Sequence, residues 1–202
     1  MIKLAILGST KGTDLQAIIE AIKNGKLDAK IEIVISNKVD AYILERAKNH
    51  KIKSIFIDPS LPDGAKQSRE EYDQKLINKL SNHQIDLILL IGWMRIFSSV
   101  FINQYRGRII NVHPSLLPAF AGGMDLDVHE EVIKSDAKET GCTVHLVDEG
   151  VDTGKILVQK KYFVESTDTP ETLKNKVQKL EGEALIESIR SFNFKFPIND
   201  KI

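Results

Sequence analysis

The stretch "IKLAILGSTKGTDLQAIIEAIKNG" at residues 2–25 joins two hydrophobic patterns through a turn that contains glycine. Residues 2–8 are almost continuously apolar, as in a strand buried on both faces. Residues 13–25 carry apolar side chains at the spacing of an amphipathic helix. The same strand–helix order recurs along the first half of the chain. This alternation predicts a parallel sheet that is covered by helices on both faces.

The second half of the chain departs from this alternation of strands and helices. Residues 142–147 and 155–164 are two further apolar strands, and their short separation predicts an antiparallel hairpin. Pro170 stands at the first turn of a long final helix, where its missing N–H costs little. Ser68 and Glu71 have the spacing of a capping box. The other predicted strands are 31–36, 53–58, 86–91 and 108–112, and the other predicted helices are 41–50, 68–80 and 126–135.

Together, these elements predict a single domain over residues 1–202. Its expected fold class is α/β, with a Rossmann-like, mostly parallel twisted sheet and helices on both faces. A C-terminal antiparallel hairpin and a long helix complete the predicted fold. The sequence contains no internal repeat, low-complexity segment or linker that divides it.

The charge balance and the cysteine content limit the possible partners. The chain has 28 Lys and Arg residues and 28 Asp and Glu residues, so its formal charge is zero. This argues against a large non-specific surface for nucleic acid or membranes. Cys142 is the sole cysteine, which fits a reducing compartment. No apolar run approaches the roughly 18 to 20 residues of a spanning helix. We expect a cytoplasmic monomer or weak homodimer with no nucleic-acid or membrane partner.

Four segments follow predicted parallel strands and are the first candidates for a binding site. They are "GSTKGTD", "SNKVD", "GWMRIF" and "NVHPS". Ligands of open parallel sheets bind outside the carboxyl ends of the strands. We therefore expect all four segments at one edge of the sheet, within reach of the hairpin turn "VDEGVDTG".

The glycine-containing turn at residues 8–16 runs directly into a helix start. Backbone N–H groups and the helix dipole at such a place suit a phosphate, but a simple tight turn fits equally. The patterns G-x-x-x-x-G-K-[ST] and G-x-G-x-x-G are both absent. Asp14 is a complication, because a carboxylate repels phosphate unless it points away.

Asn111 and His113 lie two residues apart, so their side chains share a face if the strand continues. Two hydrogen-bond donors there could stabilise an oxyanion in acyl transfer, and the imidazole could move a proton. A structural asparagine and a hydrogen-bonded histidine remain an equal alternative. The acidic turn at residues 145–155 is typical of a solvated hairpin. Alternatively, one of its carboxylates faces His113 and raises the imidazole pKa.

The remaining histidines and the cysteine do not indicate a metal site. No two histidines have a metal-ligand spacing such as i, i+4, and Cys142 has no partner cysteine. His129 is predicted on a helix and His145 on a strand, with no role assigned to either. "GWMRIF" fits a core segment or the wall of a slot for a flat aromatic ligand. We expect no metal.

Taken in order, several motifs resemble those of the glycinamide ribonucleotide formyltransferases of purine biosynthesis. "GTDLQAI" resembles the phosphate loop of that family, "SNK" follows its second strand, and "SREEYD" resembles a later helix start. "GWMRIFS" resembles its formyl-folate segment, "NVHPSLLP" its signature and "GCTVHLVDEGVDTG" its acidic loop. The likeness covers most of the chain. The signature alone is shared with other formyl-folate enzymes, whereas the ordered set is more specific.

The resemblance implies a role for individual residues. Asn111, His113 and Asp152 are implied as the catalytic group. Gly12, Thr13 and Asp14 are implied to hold the ribonucleotide phosphate, and Glu181 to bind the ribose hydroxyls. Contacts with the co-substrate 10-formyltetrahydrofolate are implied for Arg69, Met94, Arg95, Ile96, Phe97, Asn111, Asp148, Glu149, Gly150 and Asp152.

The resemblance also implies a reaction and a division of the chain. The substrate amine attacks the formyl carbon, Asn111 and His113 stabilise the resulting oxyanion, and Asp152 keeps His113 protonated and relays a proton through water. Residues 1–100 would form mainly the phosphate-binding half, and residues 101–202 mainly the catalytic and folate-binding half.

The sequence departs from the family pattern at three places. Asp14 stands where an asparagine is common, so its contact with substrate is expected from the backbone only. The segment "AFAGGMDLDVHEE" is longer than the short Pro-Gly-Leu-His form of the family, and Lys155 replaces a usual proline. None of these changes removes an implied catalytic residue.

Four other functions share part of this pattern. A methionyl-tRNA formyltransferase usually carries an additional basic C-terminal domain, and a formyltetrahydrofolate deformylase usually carries an N-terminal regulatory domain; we expect neither here. A nucleotide-binding oxidoreductase is disfavoured because G-x-G-x-x-G is absent and the second strand ends in Ser36 and Asn37 rather than an acidic residue. A non-catalytic ligand-binding domain stays open.

Overall fold

The computed structural model describes residues 1–61, 64–65, 67–123 and 126–195, with side chains as far as residue 192. Within this part of the chain, seven strands form one sheet in the order β3-β2-β1-β4-β5-β6-β7. The strands from β3 to β5 pair in parallel, and β6 pairs antiparallel with both β5 and β7. Their bounds are β1 Ile2–Gly8, β2 Ala29–Ser36, β3 Ser54–Phe56, β4 Leu87–Ile91, β5 Ile109–His113, β6 Glu139–Leu146 and β7 Ile156–Phe163.

Helices cover both faces of the sheet, as predicted. Their bounds are α1 Thr13–Lys23, α2 Tyr42–Asn49, α3 Arg69–Leu80, α4 Ser99–Gln104, α5 Leu126–Lys134 and α6 Pro170–Lys195. One buried apolar cluster joins the sheet to α1, α2, α5 and α6, and a second joins it to α3 and α4. Strands such as β4 are therefore buried along their whole length, which explains their continuous apolar sequence.

The predicted α/β fold class, the C-terminal hairpin and the start of the long helix at Pro170 are confirmed. The capping box is also present: Glu71 N donates to Ser68 Oγ, and Ser68 N donates to Glu71 Oε2. The sequence did not predict α4, because six residues are too few to show a helical period. β3 is shorter than the predicted strand 53–58, and β6 begins three residues before the predicted strand.

Asp73 on α3 fixes the beginning of α4. Its side chain is buried, and Oδ2 accepts hydrogen bonds from Ser98 N at 2.6 Å and from Ser98 Oγ at 2.7 Å. Burial raises the pKa of Asp73, and the two bonds from Ser98 act in the opposite direction. Asp73 thus supplies a tertiary cap that the sequence around α4 does not contain.

A row of aromatic rings continues from this cap to the carboxyl end of β4. Neighbouring ring centroids lie between 4.2 and 6.5 Å apart, and three of the four pairs fall within about 4.5–7 Å, the range typical of stabilising aromatic pairs. The segment that follows β4 is therefore packed between α3 and α4. The row runs through Tyr72, Trp93, Phe97, Phe101 and Tyr105.

Among the described residues, no helix is both long enough and apolar enough to cross a membrane.

Replacing Asp73 by alanine is expected to destabilise the fold. The Asp73→Ala change leaves the buried Ser98 N–H without an acceptor, and we expect a loss of about 2 kcal/mol in the free energy of unfolding. Urea unfolding followed by circular dichroism measures this difference. Lys75→Ala on the exposed side of the same helix is the control and should change stability by less than about 0.5 kcal/mol. Equal stability of the two variants would contradict the capping role.

Candidate functional site

Ser9, in the loop after β1, makes hydrogen bonds to the loops that follow two other strands. Its Oγ donates to Asn37 Oδ1 at 2.6 Å and accepts from Met94 N at 3.1 Å. Its backbone N–H donates to Gly92 O at 3.1 Å. The loops after β1, β2 and β4 therefore meet at the carboxyl edge of the sheet, as the strand order predicted.

A cavity of about 610 Å³ opens beside these loops. This volume lies within the usual range for a small-molecule site. Apolar side chains from the segment after β4 form one wall, and polar side chains from β5, β6 and the β6–β7 turn face them. The lining includes Trp93, Met94, Arg95, Ile96, Phe97, Ile102, Asn111, His113, Gly122, His145, Val147, Asp148, Gly150 and Asp152.

Asn111 and His113 both line this cavity from β5. The strand persists through His113, so the two side chains lie on the same face, as expected. His113 is only 3% exposed, whereas Asn111 is half-buried. A buried imidazole and an accessible amide consequently stand next to each other at the end of a central strand.

Asp152 from the β6–β7 turn lies against His113. Its Oδ2 is 3.2 Å from His113 Nδ1, and the Asp152 side chain is only 10% exposed. Burial acts to raise the pKa of Asp152, but hydrogen bonds from His145 and Gly122 N and the nearby imidazoles hold it below its usual range. Asp152 is therefore an ionised carboxylate in the cavity wall, not a solvated turn residue.

The sequence analysis expected Asp152 to keep His113 protonated. Burial lowers the pKa of His113 below its usual 6.5, and the Asp152 charge and the Phe120 carbonyl act in the opposite direction and partly offset this effect. The sequence gives the carboxylate but not the depth at which the imidazole is buried.

The segment that follows β5 also contacts His113 and Asp152. Phe120 O lies 3.0 Å from His113 Nε2, and Gly122 N donates to Asp152 Oδ2 at 2.9 Å. Both imidazole nitrogens of His113 thus face oxygen atoms that accept hydrogen bonds. Two acceptors favour the doubly protonated ring, while burial favours the neutral one.

His145 is a site residue that the sequence analysis missed. It pairs with Asn111 across β5 and β6, and its Nε2 lies 3.2 Å from Asn111 Nδ2 and 3.4 Å from Asp152 Oδ1. Its Nδ1 lies 2.9 Å from Leu146 O, an acceptor, so this nitrogen carries a proton. A polar residue inside the apolar run "CTVHLV", close to an acidic turn, was the available signal.

The "PSLLP" part of the signature is held by Thr143 on β6. Leu117 N donates to Thr143 Oγ1 at 3.0 Å, and Thr143 Oγ1 donates to Ser115 O at 2.7 Å. Gln159 Nε2 donates to Leu117 O and to Thr143 Oγ1, both at 3.0 Å. These bonds fix the loop that leaves His113, and Pro114 at the start of this segment lines the cavity.

The glycine turn between β1 and α1 has a geometry that requires glycine. Gly12 caps α1 with φ 66° and ψ 42°, a left-handed conformation that costs other residues energy. A Cβ at this position would also lie 2.4 Å from Ile43 Cγ1. The N-terminus of α1 is therefore held against α2 with its backbone N–H groups at the sheet edge.

Asp14 and Glu181 are brought together by α1 and α6. Asp14 is 5% exposed and Glu181 9% exposed, and the presence of Glu181 acts to lower the pKa of Asp14, which burial raises to about 7. Neither belongs to the lining of the cavity described above, nor do Gly12 and Thr13. The residues implied for the ribonucleotide thus form a second cluster, beside the cavity that holds the implied catalytic group.

Some of the residues implied for the folate line the cavity, and others lie outside its lining. Met94, Arg95, Ile96, Phe97, Asp148 and Gly150 line the cavity together with Asn111 and Asp152. Arg69, at the start of α3, and Glu149, in the turn, are exposed and outside that lining. Arg95 lies over the Tyr72 ring at 4.2 Å, and Asp148 Oδ1 accepts from Gly150 N and Thr153 Oγ1 within the turn.

Among the residues that the structure describes, no group of three or more histidine, cysteine, aspartate or glutamate side chains is arranged to hold a metal ion. The buried Cys142 is a free thiol.

The formyl transferase family model matches residues 2–189. Over 181 residues the chain is 36% identical to the phosphoribosylglycinamide formyltransferase of Bacillus subtilis (strain 168), covering 90% of this chain and 89% of that protein. It is 41% identical over 181 residues to the trifunctional purine biosynthetic protein adenosine-3 of Drosophila melanogaster, covering 89% of this chain but 13% of that protein. The crystal structure of glycinamide ribonucleotide transformylase 1 from Symbiobacterium toebii is similar with a TM-score of 0.88 and 37% identity, covering 95% of this chain and 87% of that one.

Removal of the Asp152 charge is expected to lower the pKa of His113 further. The Asp152→Asn change should shift the imidazole titration down by about one pH unit, because an adjacent carboxylate favours the charged ring. NMR titration of the His113 ring resonances measures the shift. Asp148→Asn in the same turn is the control and should leave the titration in place. An unchanged His113 pKa in Asp152→Asn would show that the 3.2 Å contact has no electrostatic effect.

The lowered pKa also predicts how stability depends on pH. The unfolded chain binds a proton at His113 near the usual 6.5, and the folded chain binds it only at lower pH. The contribution of His113 to folding is therefore present above pH 6.5 and is lost as the pH falls through the folded pKa. Urea unfolding of the protein and of His113→Gln at several pH values should converge as the pH falls.

Proposed function

The chain belongs to the formyl transferase family, and we propose that Asn111, His113 and Asp152 carry out the transfer of a formyl group from 10-formyltetrahydrofolate to the amine of glycinamide ribonucleotide. The enzyme is a transferase of purine biosynthesis. The similarity to the Bacillus subtilis formyltransferase over nearly the whole of both chains supports the substrate. The observation that carries the catalytic assignment is the convergence of these three side chains, from β5 and the β6–β7 turn, on one cavity.

The cavity has the chemistry that a formyl-folate needs. The apolar side chains of Trp93, Met94, Phe97 and Val147 in the lining suit a flat ring system, and the turn at Asp148 and Gly150 adds polar groups to the same cavity. When bound there, 10-formyltetrahydrofolate supplies the formyl carbon that the substrate amine attacks. Arg69 and Glu149 lie outside this lining and are proposed only for the outer, solvated part of the co-substrate.

Asn111 is the fixed donor in the proposed mechanism. Its Nδ2 faces His145 Nε2, whose other ring nitrogen is held by Leu146 O. The pairing of β5 with β6 and the His145 ring beside Nδ2 position the amide before substrate arrives, so that an N–H can point to the oxygen on which negative charge develops. A donor that is already oriented needs no reorganisation during the reaction.

His113 is the second proposed donor, and its protonation changes as negative charge develops on the formyl oxygen. Burial lowers the pKa of His113, so the ring is not fully charged before the reaction. A negative oxygen near Nε2 adds to the field of Asp152 and raises the pKa of His113. The ring then takes up a proton from water and becomes charged where negative charge develops, which stabilises the transition state more than the ground state. The Phe120 carbonyl must leave Nε2 for this to happen.

Asp152 has two functions in this proposal. It holds Nδ1 of His113 and so fixes the orientation of the ring. As a carboxylate of low pKa, it is ionised when the amine attacks and accepts, through water, the proton that the amine loses. When the intermediate collapses, the bond between the formyl carbon and N10 breaks, and this proton passes to N10 of the departing tetrahydrofolate. No covalent enzyme intermediate is involved.

The proposal also covers the division of the chain into two halves, its oligomeric state and its location. We propose that residues 1–100 provide mainly the phosphate site and residues 101–202 mainly the catalytic and folate site, although Met94–Phe97 contribute to the folate wall from the first part. All three catalytic side chains come from one chain, which supports a monomer or weak homodimer. A purine-biosynthetic reaction on small molecules supports a cytoplasmic location.

Formyl transfer from 10-formyltetrahydrofolate, followed spectroscopically with and without glycinamide ribonucleotide, tests the activity. We expect turnover only with the ribonucleotide. His113→Ala should lower kcat by about 10²-fold or more, because it removes an oxyanion donor. His83→Ala, a histidine far from the cavity, is the control and should keep full activity. Turnover without ribonucleotide would indicate a deformylase, and near-normal turnover of His113→Ala would refute the mechanism.

The Asp152→Asn variant tests whether Asp152 acts in the chemical step and not in binding of the ribonucleotide. The amide cannot accept the proton of the amine, so kcat should fall by about 10²-fold. Binding of the ribonucleotide should change little, because its implied contacts lie in the other cluster. Isothermal titration calorimetry with glycinamide ribonucleotide measures the affinity of both proteins. A large loss of ribonucleotide affinity would place Asp152 in the substrate site instead.

A further inference from the structure

Two donors from α2 hold the backbone of the loop that precedes α1. Ile43 N donates to Thr10 O at 3.1 Å, and Arg46 Nε donates to Lys11 O at 3.3 Å. The proposed mechanism uses neither of these donors. Two consecutive carbonyl groups of the loop are therefore directed toward the same helix.

The direction of these carbonyl groups determines the direction of the next two N–H groups. The C=O and N–H bonds of a trans peptide point in opposite directions, and the peptides that follow Thr10 and Lys11 are both trans. Because the two carbonyl groups face α2, the N–H groups of Lys11 and Gly12 point away from it. Gly12 is the N-cap of α1, so these N–H groups stand beside the first turn of that helix.

The two N–H groups extend a set of open donors at the N-terminus of α1. The first bond within this helix runs from Gln16 N to Gly12 O, and no side chain caps the N-terminus. Four backbone N–H groups have no hydrogen-bond acceptor among the described residues, and they belong to Lys11, Gly12, Thr13 and Asp14. Adjacent donors at the positive end of a helix dipole suit a phosphate.

The Arg46 guanidinium is itself held in place from several sides. Its Nη1 donates to Gln16 Oε1 at 3.0 Å, and the same oxygen accepts from His50 Nε2 at 3.2 Å. The guanidinium carbon lies 5.3 Å from the centre of the Tyr42 ring, within the range of a cation–π contact. One planar group thus bonds the loop at Lys11 and the first turn of α1 at Gln16, a geometry that a lysine ammonium does not reproduce.

The contacts of Arg46 leave its positive charge in place. The two oxygen atoms that accept from it belong to a backbone carbonyl and a side-chain amide, and the ring beside it is a tyrosine. None of these groups carries a negative charge. The charge therefore adds to the field of the helix dipole at the N-terminus of α1.

We propose that Arg46 is a positioning residue for the phosphate of the ribonucleotide: it holds the Lys11 carbonyl toward α2, so that the N–H groups of the loop and of α1 face the phosphate. The inference rests on the proposed function, because the phosphate at this place comes from the family resemblance. It assigns a part in substrate binding to a side chain of α2. Loss of this side chain should weaken binding of the ribonucleotide and leave the chemical step intact.

Steady-state formyl transfer tests this separation. In Arg46→Met, KM for glycinamide ribonucleotide should rise about tenfold, while kcat and KM for 10-formyltetrahydrofolate should stay within about twofold. Lys48→Met removes one positive charge from an exposed residue of the same helix and is the control, with all three values unchanged. An unchanged KM for the ribonucleotide in Arg46→Met, or a fall in kcat that exceeds the rise in KM, overturns the positioning role.

Arg46→Lys separates the hydrogen bonds of Arg46 from its charge. The lysine keeps the charge but does not hold Lys11 O and Gln16 Oε1 in one planar fork. We expect KM for the ribonucleotide to stay roughly threefold or more above that of the original protein. Full recovery of KM would show that the charge alone acts, and it would overturn the proposed control of the loop.

Binding of inorganic phosphate tests the loop without formyl transfer. In NMR spectra of the isotopically labelled, ligand-free protein, phosphate should shift the amide resonances of Gly12 and Thr13. The same shifts should need about tenfold more phosphate in Arg46→Met but not in Lys48→Met. If phosphate leaves both amides unchanged in the original protein, the open N–H groups do not bind it and the inference is wrong.

The two experiments distinguish failure of the inference from failure of the proposed function. Phosphate shifts that depend on Arg46, in a protein that transfers no formyl group to the ribonucleotide, overturn the proposed function and leave the phosphate role of Arg46 in place. Shifts that Arg46→Met does not weaken, in an active enzyme, overturn the inference alone.

Discussion

The catalytic face depends on the contacts of one carboxylate. Asp152 lies 3.2 Å from His113 Nδ1 and 3.4 Å from His145 Nε2, and it accepts a hydrogen bond from Gly122 N at 2.9 Å. These partners belong to β5, to β6 and to the segment after β5, so one side chain joins three parts of the chain. At 10% exposure, the charge is partly shielded from solvent, and each of these bonds is stronger than it would be at the surface.

Burial and charge act against each other at His113, and this opposition is useful for catalysis. A fully charged imidazole before the reaction would bind substrate and transition state alike, which does not lower the barrier between them. A deeply buried imidazole without a carboxylate would resist protonation even when negative charge develops. The arrangement of His113 between Asp152 and the Phe120 carbonyl lies between these extremes, so a modest change in local charge can shift its protonation.

The sequence predicted the parts of the structure that depend on local patterns. Apolar strands, the capping box at Ser68 and the shared face of Asn111 and His113 follow from spacing alone. The remaining features depend on contacts between distant residues. The start of α4 depends on Asp73, 25 residues away. The role of His145 depends on its pairing with Asn111 across two strands, and the direction of the His113 pKa depends on how deeply the ring is buried.

The two clusters at the sheet edge respond to burial in a related way. Burial lowers the pKa of His113 and raises the pKa of Asp14 to about 7, so in both cases it favours the neutral form. At His113, the Asp152 charge opposes this effect, so negative charge that develops on the formyl oxygen favours a proton on the ring. The charged ring then stands against both the Asp152 carboxylate and the oxyanion, and it offsets part of the repulsion between these two negative groups.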